Sequence, residues 1–350
     1  MASPVSETAL AKAAIGWPLI ALLLALLLVR GVMAYAQHRG MLDLPGRRRS
    51  HTLPTPRGGG FGVVVAVLIC IPGAWLTLPA RWPSAVLISV PGALALVALA
   101  GWWDDHRPLS VWPRLGAQLL AVLGFSLALF ATGLPAWWLP LLLGAGAWSI
   151  NLHNFMDGID GLLAQQAIFV SCGLALLAAS ASQPALAIAA AVVAAATLGF
   201  WRYNRPPARV FMGDVGSGSL GLLIFALSAM LWRRQAALLW PALILCSAFV
   251  TDASLTLLTR IWRGRRWHAA HREHLYQWLV RRGGTHAGVD AAYMGWNLLV
   301  AAPGAWWAGS HPHAALPVSM LVYLSAAAVW LAQKRRCLRR NLSKDRHVVA

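Results

Sequence analysis

Acidic side chains are what this chain has least of: eleven Asp and Glu in 350 residues, against 29 Lys and Arg, with charged residues making up only 11%. With 59% hydrophobic residues and a mean hydropathy of +0.61, so little charge excludes a water-soluble globular domain. Cysteine is sparse as well. Cys70, Cys172, Cys246 and Cys337 are far apart and three sit inside apolar runs, which supports neither a disulfide framework nor a zinc site. The Gly-Lys-Ser/Thr ending of a nucleotide P-loop is missing. No repeat is visible beyond general helix-to-helix similarity. The run Trp17–Val29 lacks a convincing small-residue cleavage site and further spans follow, which predicts a first membrane helix in place of a signal peptide.

What the chain has in quantity is apolar runs of about 20 residues, the length that crosses a bilayer. They predict an all-α, polytopic integral membrane protein with about eleven transmembrane helices, near 17–36, 60–78, 85–103, 111–130, 136–153, 161–180, 184–203, 216–231, 236–258, 287–308 and 314–332. The net charge of +18 suggests nucleic acid until its distribution is considered. Of the 29 basic residues, 24 fall in alternate loops (37–59, 104–114, 202–214, 260–286) and in the tail from Lys334. Lys12, Arg81, Arg233 and Arg234 fall on the other side, and Arg30 within the first span. The positive-inside bias therefore predicts a periplasmic N-terminus and a cytoplasmic C-terminus, with the lipid bilayer and not nucleic acid as partner. Trp75, Trp82, Trp102, Trp103, Trp137, Trp138, Trp201 and Trp232 lie near span ends, as interfacial belts require. The expected layout is a periplasmic segment 1–16, one transmembrane domain 17–332 and a basic cytoplasmic tail 333–350.

Five of the eleven acids lie in three compact segments where an apolar run meets a polar loop: GWWDDHRPLS (Asp104, Asp105), NLHNFMDGIDGLL (Asp157, Asp160) and VFMGDVGSGSLG (Asp214). Carboxylates near hydrocarbon are costly, so each marks a candidate site, and by the charge partition all three face the cytoplasm. The Asp104–Asp105 pair fits metal or phosphate handling, or simply helix-end charge. Asn151, Asn154, Asp157 and Asp160 recur every three residues and on a helix would share a drifting face. Four oxygen-bearing side chains there suit a hard cation such as Mg²⁺, the bland reading being a polar helix cap with a glycine turn. Gly213–Ser219 opens a helix whose N-terminus favours anions, though its glycines equally suit helix packing. Asn204, Arg205 and Arg209, just upstream, suit a nucleotide or phosphate. In HAAHREHLYQWLVRRGG, His271 and His274 could share a helix face; with no third ligand nearby, and Arg272 and other arginines around them, diphosphate binding is favoured over zinc. Both this loop and RRRSHTLPTPRGGG, with Arg57, are also readable as solvated basic loops.

Taken together and in this order, the DD pair, NxxNxxDGxDGL, FMGDxGS and HxxH resemble the polyprenyl-phosphate N-acetylhexosamine-1-phosphate transferases, relatives of the phospho-MurNAc-pentapeptide transferase, over about residues 37–331. The resemblance implies transfer of a sugar-1-phosphate from a UDP-N-acetylaminosugar to undecaprenyl phosphate, with release of UMP, at the bacterial inner membrane. It implies Mg²⁺ (Mn²⁺ as a substitute) on Asn154 and Asp214, and Asp104 and Asp105 placing the lipid phosphate or accepting its proton. It implies Asp157 and Asp160 as organisers of nucleotide and metal, Asn204 and Phe211 near the uridine, and His271, Arg272 and His274 on the diphosphate or sugar. Arg57, Asn151 and Arg209 complete the expected substrate-binding set, and a homodimer is compatible with it. Two departures point away from the pentapeptide substrate: Arg272 and Glu273 stand between the histidines, and His106–Arg107 stand where the peptidoglycan branch has a lysine. The HREHLYQ form looks more like the branch initiating O-antigen or related glycans from UDP-GlcNAc or a 6-deoxy sugar. A transporter of similar topology is the alternative from another class, disfavoured because the acids cluster at span ends and not at midplane.

Overall fold

The computed structural model describes residues 7–43, 54–78, 82–266 and 271–347, with side chains described as far as Cys337. The basic run 47–49 and Arg81, both counted in the charge partition, lie outside the described residues. A two-residue antiparallel ribbon joins β1 (Leu42–Asp43) to β2 (Thr55–Pro56). Otherwise the elements are helices: α1 (Glu7–His38), α2 (Gly60–Thr77), α3 (Ser84–His106), α4 (Val111–Phe130), α5 (Leu139–Phe155), α6 (Leu162–Ser180), α7 (Pro184–Asn204), α8 (Asp214–Arg234), α9 (Leu239–Leu245), α10 (Ser247–Trp262), α11 (Leu275–Arg281), α12 (His286–Trp296), α13 (Ala302–Ser310) and α14 (Ala315–His347).

This is the all-α architecture that the apolar runs predict. Among the described residues, eight helices are long and apolar enough to cross a membrane, and a bent pair makes a ninth candidate. The expected eleven is not reached because α5 has only 17 residues and the 287–308 segment is divided into α12, a π-turn at Asn297–Ala301 and α13. The expected span at 236–258 is also not one rod: Ala236–Leu245 and Ser247–Trp262 meet at 73°. A break exposes carbonyls that a continuous helix would satisfy, and Gln166 on α6 donates to the Leu245 carbonyl at 3.2 Å. Gln166 is itself held by Asn297 of the π-turn, 2.6 Å away. One buried amide pair thus stabilises both irregularities.

Helix α8 is the axis of the bundle. Its apolar window is 89% buried, against 28% for α1, and α2, α3 and α5 all pack on it. Small residues make this possible. A Cβ on Gly60 of α2 would lie 2.3 Å from the Cα of Gly216, and one on Gly101 of α3 would lie 2.5 Å from the Asp214 carbonyl. Ser149 of α5 donates its hydroxyl to the Gly221 carbonyl at 2.7 Å. Helix α1, by contrast, turns Ile15, Leu19, Leu23 and Leu27 outward.

The two ends of the bundle differ. At one, Arg233 donates to Thr132 Oγ1 at 3.0 Å, Arg234 lies 4.2 Å over the Trp82 ring, and Trp138 stacks on Trp137 and meets Trp232 edge to face. At the other end meet the C-terminus of α3 and the N-terminus of α8, with the acidic segments. The sequence reading, which put Arg233 and Arg234 opposite the acids, agrees with this sidedness.

The close approach of α3 to α8 gives a sign-reversing pair of substitutions. Gly101→Ala forces the two backbones apart and should destabilise the protein by about 1–3 kcal/mol. Gly92→Ala, on the same helix with nothing within 4 Å of its added Cβ, should stabilise it by about 0.5–1 kcal/mol. Thermal unfolding in detergent separates the two; equal effects would refute the tight contact.

Candidate active site

The N-terminus of α8 presents free backbone N–H groups, and the anion that satisfies them comes from the chain itself. Asp105, its side chain fully buried, accepts from Asp214 N at 3.0 Å and Val215 N at 3.2 Å. Gly213 permits the turn into the helix with a φ of 76°. A Cβ there would lie 2.4 Å from Asp105 Oδ2. Arg57 then bridges two helices, with Nε 2.8 Å from Asp105 and one terminal nitrogen 3.1 Å from Asp214. Arg114 bridges from the other side, 2.8 Å from the second Asp214 oxygen and 3.3 Å from Asp104. Asp104 also accepts from Leu109 N at 2.6 Å. Three carboxylates and two guanidiniums form one network. Burial alone would lower the Arg57 pKa, but Asp105, Asp214 and further acids raise it, so this arginine is a fixed cation.

The Asn/Asp stripe is not one helical face. Helix α5 ends at Phe155, so Asn151 and Asn154 are helical while Asp157 and Asp160 lie in the connection to α6. The reason is glycine: Gly161 takes a φ of 81°, and a Cβ on Gly158 would meet the Tyr276 hydroxyl at 2.1 Å. Asn151 faces away from the other three, bonding Gln118 of α4 at 2.7 Å. Asn154 donates to Ser217 Oγ at 3.0 Å and bonds the Asp214 carboxylate. Asp160 works on backbone: it accepts from Ala208 N at 3.0 Å and lies 3.2 Å from His286. Buried Asn204 ties the same segments, accepting from Gly161 N at 3.0 Å and donating to the Val210 carbonyl at 2.9 Å. Burial pushes the Asp157 carboxyl up to about 8, Asp214 adding to the shift, Arg57 opposing it and Asp105 reinforcing it.

These segments enclose an open cleft of about 210 Å³. Of the residues expected from sequence, Arg57, Asn154, Asp157, Asp160, Asn204, Phe211, Asp214 and Arg272 line it, joined by Asp43 of β1. Asp104 and Asp105 stand behind its wall. Arg209 is outside it, exposed, with its guanidinium 5.9 Å from the Tyr203 ring centroid.

The histidines do not share a helix face either. His271 precedes and His274 caps α11, their rings 4.9 Å apart and both beside Phe155, which ends α5. Arg272 between them reaches the cleft. Burial, helped by neighbouring His274 and Arg260, lowers His271 to about 4, so its ring is neutral near pH 7. Glu273 turns the other way into ion pairs with Arg260 and Arg265. Burial alone would raise its pKa; the Arg265 hydrogen bond and the Arg260 charge bring it below the usual value.

Sequence reasoning overlooked two anchors. Arg114 was counted only as a loop charge. Asp252, deep in α10, accepts from Leu275 N (2.8 Å), Tyr276 N (3.4 Å), the Tyr293 hydroxyl (2.7 Å), Trp330 Nε1 (2.9 Å) and Thr256 Oγ1 (3.2 Å). It caps α11 and so fixes the loop that carries Arg272. A lone acid in the apolar stretch CSAFVTDASL was the available signal.

The sequence is also similar to those of known proteins. Residues 87–232 match the family described as Glycosyl transferase family 4. The chain is similar to the phospho-N-acetylmuramoyl-pentapeptide-transferase of Enterococcus hirae, 30% identical over 226 residues, covering 58% of this chain and 68% of the relative. It is similar to that of Lacticaseibacillus paracasei at 29% identity over 229 residues, covering 58% and 68%. A Bacillus subtilis protein, "Probable undecaprenyl-phosphate N-acetylglucosaminyl 1-phosphate transferase", is 27% identical over 286 residues, covering 77% of each chain.

Two outcomes follow from the loop. Asp252→Ala strips five donors of their acceptor and should cost about 3–5 kcal/mol; hydrogen exchange at amides 275–281 should accelerate far more than at α8, and uniform protection would disprove the latch. Undocked, His271 would protonate near its ordinary 6.5, whereas docked it resists until about 4. The undocked loop therefore binds more protons in that window, and docking should strengthen as pH rises from about 4 to 6.5. Exchange at the same amides measured across this range should show that slope, and His271→Gln should flatten it.

Proposed function

The chain belongs to glycosyl transferase family 4, whose members matched above are membrane sugar-phosphate transferases, and on that premise we propose that it transfers an N-acetylaminosugar-1-phosphate from a UDP-sugar to undecaprenyl phosphate, releasing UMP. The observation that carries the reading is convergence: Arg57, Asn154, Asp157, Asp214 and Arg272, from separate stretches of sequence, face one cleft. Two arginines beside carboxylate and amide oxygens are the equipment for a diphosphate with a hard cation.

The donor set fits Mg²⁺. Asp214 and Asn154 offer a carboxylate and an amide oxygen, with Asp157 on the same wall. Among the described residues no group of three or more His, Cys, Asp or Glu could hold a metal. Sparse protein ligation supplemented by substrate phosphates is the habit of Mg²⁺. Bound there, the ion would offset the charge of the forming diphosphate.

The protein's own residues supply the rest. Arg57, aimed by Asp105, and Arg272, held by the α11 cap, bind phosphate oxygens from opposite sides of the cleft. Asn204 and Phe211 shape the wall for the uridine, and Asp160 fixes the adjoining backbone. Asp104, through Arg114, sets the place of the acceptor phosphate. That phosphate, with a second pKa of about 6, is already largely ionised near neutrality and needs positioning more than proton removal. We further read the protein as a multi-span protein of the bacterial inner membrane with its N-terminus periplasmic and this cleft cytoplasmic, and assign it to the O-antigen-type branch on the HREH sequence. The names of the E. hirae and L. paracasei relatives favour a second reading, in which the donor carries a MurNAc-pentapeptide.

Purified protein given undecaprenyl phosphate, Mg²⁺ and a panel of UDP-sugars, including UDP-GlcNAc and UDP-MurNAc-pentapeptide, should release UMP with an aminosugar donor and not with the pentapeptide. Release with the pentapeptide alone would select the second reading; release with none would reject both. Asp214→Asn should lower the rate on the order of a hundredfold or more. Asp104→Asn should lower kcat more than it raises KM for the UDP-sugar.

A further inference from the structure

A second cavity, of about 520 Å³, opens between α10, α11 and α14 and shares no lining residue with the cleft. Its position relative to the bilayer is marked by the helices that flank it. Leu258, Ile261 and Trp262 on α10 and Leu324, Val329 and Leu331 on α14 are exposed apolar side chains, the signature of lipid contact. Immediately beyond them come Arg263 and Arg265 on one side and Lys334 and Arg335 on the other, all four lining the cavity. Its walls therefore change from hydrocarbon to cation over about one helical turn, as a phospholipid changes from acyl chain to phosphate.

The cationic end is only partly neutralised from within. Glu273 is the single acid in the lining, and it is already shared by Arg260 and Arg265. Lys334 lies between two tryptophan rings, 5.1 Å from the Trp330 centroid and 5.7 Å from that of Trp278, and donates to the Glu273 carbonyl. Arg263 and Arg335 have exposed side chains and enter no ion pair among the described residues. The indole N–H of Trp278, a lining residue, is buried without an acceptor. Two unpaired guanidiniums and an unused buried donor above an apolar floor call for an anionic group on an acyl chain.

We propose that this cavity binds an anionic glycerophospholipid of the surrounding bilayer, its phosphate held by Arg263 and Arg335 and its first acyl carbons resting on Leu331 and Trp330. The site is distinct from the one that handles the reacting phosphates and does not depend on the chain being a transferase. Because its wall includes Glu273, the neighbour of Arg272, an occupied cavity also braces the loop that completes the cleft.

The test is native mass spectrometry of the full chain in neutral detergent, titrated with phosphatidylglycerol and with phosphatidylcholine of the same acyl chains. The wild type should retain phosphatidylglycerol preferentially. The double variant Arg263→Gln/Arg335→Gln should lose that preference, its phosphatidylglycerol affinity falling on the order of tenfold or more while phosphatidylcholine is unchanged. Both positions are exposed, so an unchanged circular dichroism spectrum and melting temperature should accompany the loss. Equal retention of the two lipids, or a variant that binds as the wild type does, would overturn the proposal. So would displacement of the lipid by inorganic phosphate at comparable concentration, which would indicate an ion site without a lipid. Displacement by undecaprenyl phosphate together with a raised KM for it in the variant would make the cavity an acceptor subsite, and would overturn it too.

Discussion

Everything at the site hangs on how a helix N-terminus is neutralised inside an apolar bundle. The first amides of α8 cannot rely on bulk water, and Asp105 supplies their acceptor from the end of α3. That bond forces α3 against α8, which Gly101 and Gly213 allow, and it buries a charge that must then be paired. Arg57 pairs it and, in doing so, is carried to Asp214; Arg114 brings Asp104 to the same carboxylate. The cation that fronts the cleft is thus placed by the acid behind it.

The second support is built on the same rule with the signs of the partners rearranged. Asp252 is a buried carboxylate with no guanidinium bonded to it among the described residues, yet it gathers two amides, a phenol, an indole and a hydroxyl. Enough neutral donors can substitute for a counter-ion. The result is a cap on α11 that leaves Arg272 directed at the cleft, while Glu273, one residue on, is turned toward Arg260 and Arg265. The two residues separating the histidines are therefore not interchangeable spacers: one faces the cleft, the other the second cavity.

The fold class was legible because hydropathy is a local property: every apolar run became helical, though two of them are broken. The failures were where helices stop. The three-residue recurrence from Asn151 to Asp160 looks helical until Gly158 and Gly161 are weighed against Tyr276, which is over a hundred residues away in sequence. The bend after Leu245 depends on Gln166 and Asn297, two amides that no window around the break contains. At the site, residue types were readable and their division of labour was not. Asp104, Asp105, Asp157, Asp160 and Asp214 were all visible as scarce acids, but nothing in the sequence distinguishes Asp105, which bonds backbone behind the wall, from Asp157, which faces the cleft. Arg114 and Asp252 went unnoticed because their partners are brought by tertiary packing.

One contact has a bearing on how the protein is made. The Asp252 cap includes the indole of Trp330, and α14, which carries it, follows every element of the cleft in sequence. A ribosome delivering this protein to the membrane will have inserted Arg57, the acid network and Asp214 well before Trp330 emerges. Until then Asp252 lacks one of its donors and α11 has nothing from α14 to close against. The order of synthesis thus fastens the cleft-lining loop only after the acids are in place, so that a nascent chain carries the acids before it has a finished site.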